Sequence, residues 1–193
     1  KYMYFTTNHI GKGTNKLKGI ETYNLQIKRA EYVEGKGWTN FEVLPFCEPD
    51  SNFAHPALSP DGSTLYFIAD IKGTKGKSDL YKVSISGHKT YGEPTKLDDV
   101  INSSRTEIFP FISADNKLYF TSDRRGGKGG LDIYSYDLES SNTDQIPVSL
   151  EMPINSRGDD FSFFLNDDLT TGYLSSRRLK GEGGDDLYYV SKF

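Results

Sequence analysis

The sequence predicts an all-β chain of repeated four-stranded blades, the β-propeller arrangement. Three observations carry this: a composition suited to strands and tight turns, a repeat of about 53 residues, and four short strand candidates in each repeat. Tyr (13), Phe (12) and Gly (19) are abundant, while Ala occurs only five times. Aromatic side chains fit pleated, half-buried strands, and scarce alanine removes the best helix former. The 193 residues suffice for a proper core in one domain. A formal charge of −4 and a pI near 5.4 remove the bulk electrostatic case for nucleic acid. Mean hydropathy is −0.59, and no apolar run approaches the length of a membrane-spanning helix. The lone cysteine, Cys47, excludes an intramolecular disulfide framework.

The repeat shows in three registers. His55-Pro56-Ala57-Leu58-Ser59-Pro60-Asp61-Gly62 followed by Leu65-Tyr66-Phe67 matches Phe109 to Asn116 followed by Leu118-Tyr119-Phe120, and again Phe161 to Asp168 followed by Gly172-Tyr173-Leu174. A glycine-rich turn then leads to Asp79-Leu80-Tyr81, Asp132-Ile133-Tyr134 and Asp186-Leu187-Tyr188, spaced by 53 and then 54 residues. Leu44, Leu97 and Leu150 recur at 53, as do Asn102-Ser103 and Asn155-Ser156.

Each repeat divides into strands A to D. Strand A is the Pro56–Ser59 type and strand B the Leu65-Tyr66-Phe67 type. Strand C alternates Tyr81, Val83 and Ile85 with Lys82 and Ser84, as a half-buried strand does. Strand D runs through Glu93–Leu97, where Pro94 suits a sheet edge. The blades fall roughly at 1–44, 45–97, 98–150 and 151–193 of a single domain. The first lacks strand A and the last lacks strand D, about three and a half blades in all. The expectation is a fragment of a larger ring, or a chain completed by another piece, because open ends would expose strand edges and apolar faces. A start at Lys1, with neither Met nor a leader, is expected where upstream sequence has been removed.

The runs "HPALSPDGSTLYF", "GKSDLYKVSI", "FPFISADNKLYFTSDRRGGKGGLDIY" and "PINSRGDDFSFF" resemble the WD40-like propeller repeats of OmpA-family envelope proteins of Bacteroidetes. That resemblance implies a ring of about six blades and flanking tetratricopeptide and peptidoglycan-binding domains. One branch of the family is the propeller-bearing lipoprotein of type IX secretion. It further implies a non-catalytic scaffold, periplasmic and associated with the outer membrane, whose partners are other envelope proteins. Peptidoglycan would be reached through the flanking domains. No cofactor, metal, nucleic acid or membrane insertion is expected of this segment.

Residues that recur in every blade are explained most simply by the blade. Asp79, Asp132 and Asp186 lie three positions after Gly76, Gly129 and Gly183. The expectation is that each glycine supplies positive φ in the B–C turn, while the aspartate accepts turn amides. Ser59-Pro60-Asp61-Gly62 and Ser113-Ala114-Asp115-Asn116 read as A–B hairpin turns. None of the acidic turns has the interleaved oxygen ligands of a calcium loop. His9, His55 and His88 fall in unrelated positions; His55 aligns with Phe109 and Phe161 and reads as a packed inner-strand residue. Cys47 aligns with Val100 and Pro153 and reads as a small buried apolar residue. Glu107 and Asp159, taken as equivalent, are the carboxylates that a hydrolase reading would use. A glycan-binding reading would use the exposed aromatics Tyr23, Trp38 and Tyr91, the last two equivalent on strand D.

Charge on the loops is the strongest functional signal. The first B–C loop, roughly 8–23, is about nine residues longer than the others and holds Lys12, Lys16 and Lys18. The other three carry Lys72, Lys75 and Lys77, then Arg124, Arg125 and Lys128, then Arg177, Arg178 and Lys180. These four loops hold twelve bases against five acids, so they are +7 and the rest of the chain −11. The D–A loops are acidic, with Glu48 and Asp50, then Asp98, Asp99 and Glu107, then Glu151, Asp159 and Asp160. In an antiparallel blade both loop sets emerge on one rim. Two readings stand: charges that neutralise one another locally, or a patterned docking face. The docking reading rests on Lys72, Arg124, Arg125, Arg177, Arg178, Glu107, Asp159 and Asp160, with no catalytic residue.

Overall fold

The computed structural model describes residues 1–8, 24–87 and 89–191, with the backbone of 16–17 and 20–21. His9, Lys12, Lys18, Tyr23 and His88, and the side chain of Lys16, lie outside the described residues. Blade 1 is β1 (Tyr2–Thr7), β4 (Gln26–Val33) and β5 (Gly37–Val43), with the hairpin β2 (Lys16–Leu17) and β3 (Ile20–Glu21) inside its long loop. Blade 2 is β6 (Phe53–Leu58), β7 (Thr64–Ala69), β8 (Asp79–Ser86), β9 (Thr90–Tyr91) and β10 (Thr95–Lys96). Blade 3 is β11 (Glu107–Ile112), β12 (Lys117–Ser122), β13 (Asp132–Asp137) and β14 (Val148–Ser149). Blade 4 is β15 (Asp160–Leu165), β16 (Thr171–Ser176) and β17 (Asp186–Ser191).

All strand pairs in the sheets are antiparallel, in the order A-B-C-D, and the described residues contain no helix. The fold is therefore a set of β-propeller blades. Strand A is longer than expected and begins at Phe53, Glu107 and Asp160. In blade 2 strand D is shorter than expected, because Pro94 interrupts it: β9 pairs the end of β8, and β10 pairs Tyr81 and Lys82 further along.

Three apolar layers join the blades. Ile27 and Leu44 pack with Phe53, Leu65, Phe67 and Val83 between blades 1 and 2. Ile68, Leu80 and Leu97 meet Ile112, Leu118 and Phe120 between blades 2 and 3. Tyr119 and Ile133 meet Phe163, Leu165 and Leu174 between blades 3 and 4. Cys47 is buried in the first layer, as its alignment predicts, and burial pushes its thiol up to about 11.

Each strand A carries the same bulge, at Ala54/Ala57, Ile108/Phe111 and Phe161/Phe164. The bulged residues have positive φ: His55 (52°), Phe109 (50°) and Ser162 (52°). The equivalent of His55 in blade 4 is thus Ser162 rather than Phe161, one residue away from the match made by residue type. His55 stacks on Phe109, with centroids 4.0 Å apart, and its Nδ1 accepts the Phe109 amide at 3.2 Å. Burial holds its imidazole down to about 4, so it is neutral at ordinary pH.

The turn glycines correct a second expectation. Gly76, Gly129 and Gly183 are not among the residues with positive φ. That conformation falls three residues earlier, at Gly73 (100°), Gly126 (97°) and Lys180 (75°). A Cβ on Gly76 would lie 1.7 Å from the Arg105 carbonyl oxygen, and one on Gly129 1.9 Å from that of Gly158. These glycines let one blade's turn touch the loop that enters the next blade. The aspartates do accept turn amides: Asp79 from Lys75 (2.7 Å), Asp132 from Lys128 (2.9 Å), Asp186 from Gly183 (3.1 Å).

Candidate interaction rim

The B–C and D–A loops share one rim, as their contacts show. The Lys77 amide donates to the Arg105 carbonyl, and the Leu131 amide to the Asp159 carboxylate. Ion pairs cross between the loop sets: Lys75 to Asp99 (3.3 Å), Lys128 to Glu151 (2.7 Å) and Arg177 to Asp159 (3.7 Å).

Two further pairs enclose a buried carboxylate. Glu107 begins strand A of blade 3 and has no exposure. It accepts from Arg124 Nη2 (3.0 Å), Ser122 Oγ (2.9 Å), Ser103 Oγ (2.6 Å) and the Ser103 amide (3.0 Å). Arg124 also donates to the carbonyls of Val100 and Ile101, and its guanidinium lies over the rings of Phe120 and Tyr134. Blade 4 repeats the arrangement. Asp160, equally buried, accepts from Arg178 (2.7 Å), Ser176 (2.5 Å) and the Ser156 amide (2.5 Å). Arg178 donates to the carbonyls of Pro153 and Ile154 and lies over Tyr188.

The equivalent of Glu107 is therefore Asp160 and not Asp159. Glu107 and Asp160 have no exposure and so offer no contact surface, while Arg124 and Arg178, partly exposed, are engaged with them and with linker carbonyls. The same geometry takes Glu107 out of the hydrolase reading: its oxygens are enclosed by an arginine and two serines. Asp159 is engaged by Arg177 and by the Leu131 amide. In blade 2 the matching positions are Phe53, Ala69 and Ile71, which belong to the apolar layer. Acid, serine and base have changed together to apolar residues.

What remains on the rim is mainly basic. Lys72 and Arg125 are exposed and form no ion pair among the described residues, and the same holds for Lys77, Arg105, Arg157 and Lys180. Glu48, Asp70, Asp98 and Glu182 are acids of these loop sets that are exposed and form no ion pair among the described residues, Asp70 accepting from Asn52. Arg177 is exposed and pairs with Asp185 through its Nε, which raises the guanidinium pKa and lowers that of the carboxyl. Arg105 and Arg157 stand in the acidic D–A loops, where net loop charge conceals them. Of the aromatics, Tyr91 packs on Phe46, and Trp38 lies edge-on to Tyr32 on the outer strand, away from the rim.

No family model and no curated sequence matches the chain. Among solved structures it is similar to TolB from Acinetobacter baumannii, at 20% identity and a TM-score of 0.56 over 89% of this chain and 36% of that one. A TolB-type protein from Agrobacterium tumefaciens is similar at 15% identity and 0.53, over 84% of this chain and 60% of that one. An α-L-arabinofuranosidase from Lactobacillus brevis is similar at 12% identity and 0.52, over 99% of this chain and 67% of that one. The chain thus spans less than two thirds of each of the two TolB structures, and these likenesses establish the propeller fold.

Proposed function

We propose that this chain is a non-catalytic interaction module of the bacterial envelope, which docks acidic segments of protein partners on its rim. The observation that carries this is the division of the rim charge. Most of its acids are consumed by bonds within and between blades, whereas a row of cations, Lys72, Arg105, Arg125 and Arg157, stands exposed loop after loop. Exposed arginines grip carboxylates in bidentate fashion, and a field of one sign speeds encounter with an acidic partner. The envelope setting is supported by the resemblance of the repeats to WD40-like envelope propellers, and the TolB-like fold agrees with it. An accessory of type IX secretion, or of a peptidoglycan-tethered outer-membrane complex, is the finer form of this reading.

The test compares capture from solubilised envelopes by the wild type and by a Lys72→Glu, Arg125→Glu, Arg157→Glu variant, with circular dichroism on both. A protein bound by the wild type, released by salt and lost in the variant is the expected result. A partner held equally by the folded variant overturns the rim as the contact surface.

A further inference from the structure

We propose that the cleft between the A–B turn of blade 2 and the C–D loop of blade 3 binds a primary ammonium group carried on an alkyl stem. The A–B and C–D turns emerge at the rim opposite the basic one. The inference is therefore independent of the docking of acidic segments.

The cleft has a volume of about 350 Å³, and no lysine, arginine or histidine lines it. Blade 2 contributes Asp61 and, from β7, Tyr66; blade 3 contributes Leu138 and Glu139. Asp61 accepts from Ser59 Oγ (2.6 Å), the Ser63 amide (3.0 Å) and Ser63 Oγ (2.7 Å). These bonds hold its carboxyl down to about 2, so it is an anion at any ordinary pH. A carboxylate offers about four lone-pair positions, which leaves one open. Glu139 is exposed and accepts from Asn116 Nδ2 on Oε1 (2.8 Å). Neither acid forms an ion pair among the described residues.

Tyr66 makes a site of these two acids. It is only 8% exposed, and its hydroxyl has no hydrogen-bond partner among the described residues. A tyrosine hydroxyl so deeply placed ordinarily finds one. The ring packs in the layer between blades 2 and 3, and the side chain lines the cleft. Burial and then the charge of Asp61 raise its pKa, which places the phenol within reach of that carboxylate's field. An ammonium has three N–H donors and no acceptor. The phenol oxygen and the two carboxylates are three acceptors for it, and Leu138 gives the stem an apolar wall.

Blade 3 displays the occupant. By the register of Ala57 and Phe111 on their B strands, Tyr119 stands where blade 2 has Tyr66, and Asp115 where it has Asp61. That turn carries Lys117, whose ammonium pairs with Asp115 (3.0 Å). Blade 2 has Ser63 and Thr64 in its place and supplies no cation. The described residues also hold no group of three His, Cys, Asp or Glu suited to a metal, which favours an ammonium over a bare divalent ion.

The test follows the amide chemical shifts of the nitrogen-labelled chain of residues 1–193 during titration with two probes, butylamine and lysine capped at both ends. Capped lysine acetylated on Nζ is the neutral control. The expected result is saturation at millimolar concentration, with shifts confined to the amides around Asp61, Tyr66, Asn116 and Glu139. Tyr66→Phe should weaken binding roughly tenfold, because a bond to a charged donor is lost. It should leave the urea midpoint unchanged, because the hydroxyl has no partner in the fold. Tighter binding of capped lysine assigns the ammonium to a partner's side chain, and tighter binding of butylamine to a free amine. The proposal is overturned if neither probe saturates, if the acetylated control shifts the same amides equally, or if Tyr66→Phe binds as the wild type does. A lowered urea midpoint in that variant also overturns it, since the hydroxyl would then serve the fold.

Discussion

Replacing Arg124 with leucine should destabilise the chain far more than replacing an exposed, unpaired rim base such as Lys72 or Arg125. Glu107 has no exposure, so removing the guanidinium leaves a carboxylate deep in the joint with only serine and amide donors. Breaking a buried pair from one side costs about 3–5 kcal/mol, most of it the uncompensated charge. The carbonyls of Val100 and Ile101 lose their donor as well. Blade 2 indicates the remedy, since Phe53, Ala69 and Ile71 fill the same three positions. The variant Glu107→Phe, Ser122→Ala, Arg124→Ile removes both charges together. It should recover most of the loss and retain a deficit of about 1–2 kcal/mol for the two carbonyls and the Ser103 amide. In blade 2 such loop carbonyls are served by Gln26, which donates to Glu48 (3.2 Å) and Ser51 (2.9 Å). Urea unfolding followed by far-ultraviolet circular dichroism measures both variants. The reasoning fails if the single change costs under about 1 kcal/mol, or if the triple variant is no more stable than the single.

Three further outcomes are expected. Gly129→Ala should destabilise by about 2 kcal/mol or more, because its Cβ would collide with the Gly158 carbonyl at 1.9 Å. Gly183→Ala, whose nearest neighbour is 3.4 Å away, should stay within about 0.5 kcal/mol in the same assay. His55 is held neutral down to about 4, below its unfolded value of about 6.5. The unfolded chain therefore binds the extra proton, and this stability, complete above about 6.5, is lost as pH falls toward 4. His55→Phe, which reproduces blade 3, should flatten the urea midpoint against pH across that window, and an unchanged slope would refute the assignment. Cys47 should react slowly with a thiol reagent in the native chain and rapidly in urea, since burial raises its thiol to about 11; equal rates would show an open first layer.

Strands B and C were legible because the Leu65-Tyr66-Phe67 run and the alternation of Tyr81, Val83 and Ile85 with Lys82 and Ser84 are local. The incomplete first and last blades followed from counting the repeats. Strand A was legible only to within a residue. Its bulge shifts the register between Phe161 and Phe164, so matching Phe109 to Phe161 by kind of side chain slipped by one. The same slip made Asp159, rather than Asp160, the partner of Glu107. Gly76 and Gly129 were misjudged for a different reason: what they meet is backbone from the next blade, about thirty residues away in sequence, which no local rule contains. The buried ion pairs did leave a signal. Position by position, Glu107, Ser122 and Arg124 become Phe53, Ala69 and Ile71, and three such changes in one repeat imply that the three side chains touch. Loop net charge hid it, because it counts enclosed and exposed groups alike.

The arginine that reaches from the B–C turns of blades 3 and 4 to the preceding linker means that the joints of this chain differ in kind. Between blades 2 and 3, and between 3 and 4, an apolar layer is supplemented by an enclosed ion pair. Between blades 1 and 2 those positions are hydrocarbon throughout. Cooling weakens apolar contact, whereas the cost of enclosing charge falls on warming. The blades then have no common temperature of loosening. With heat the enclosed pairs cost less while apolar contact gains little, so the first blade should loosen while the other three still move as one body, and in the cold that order should narrow.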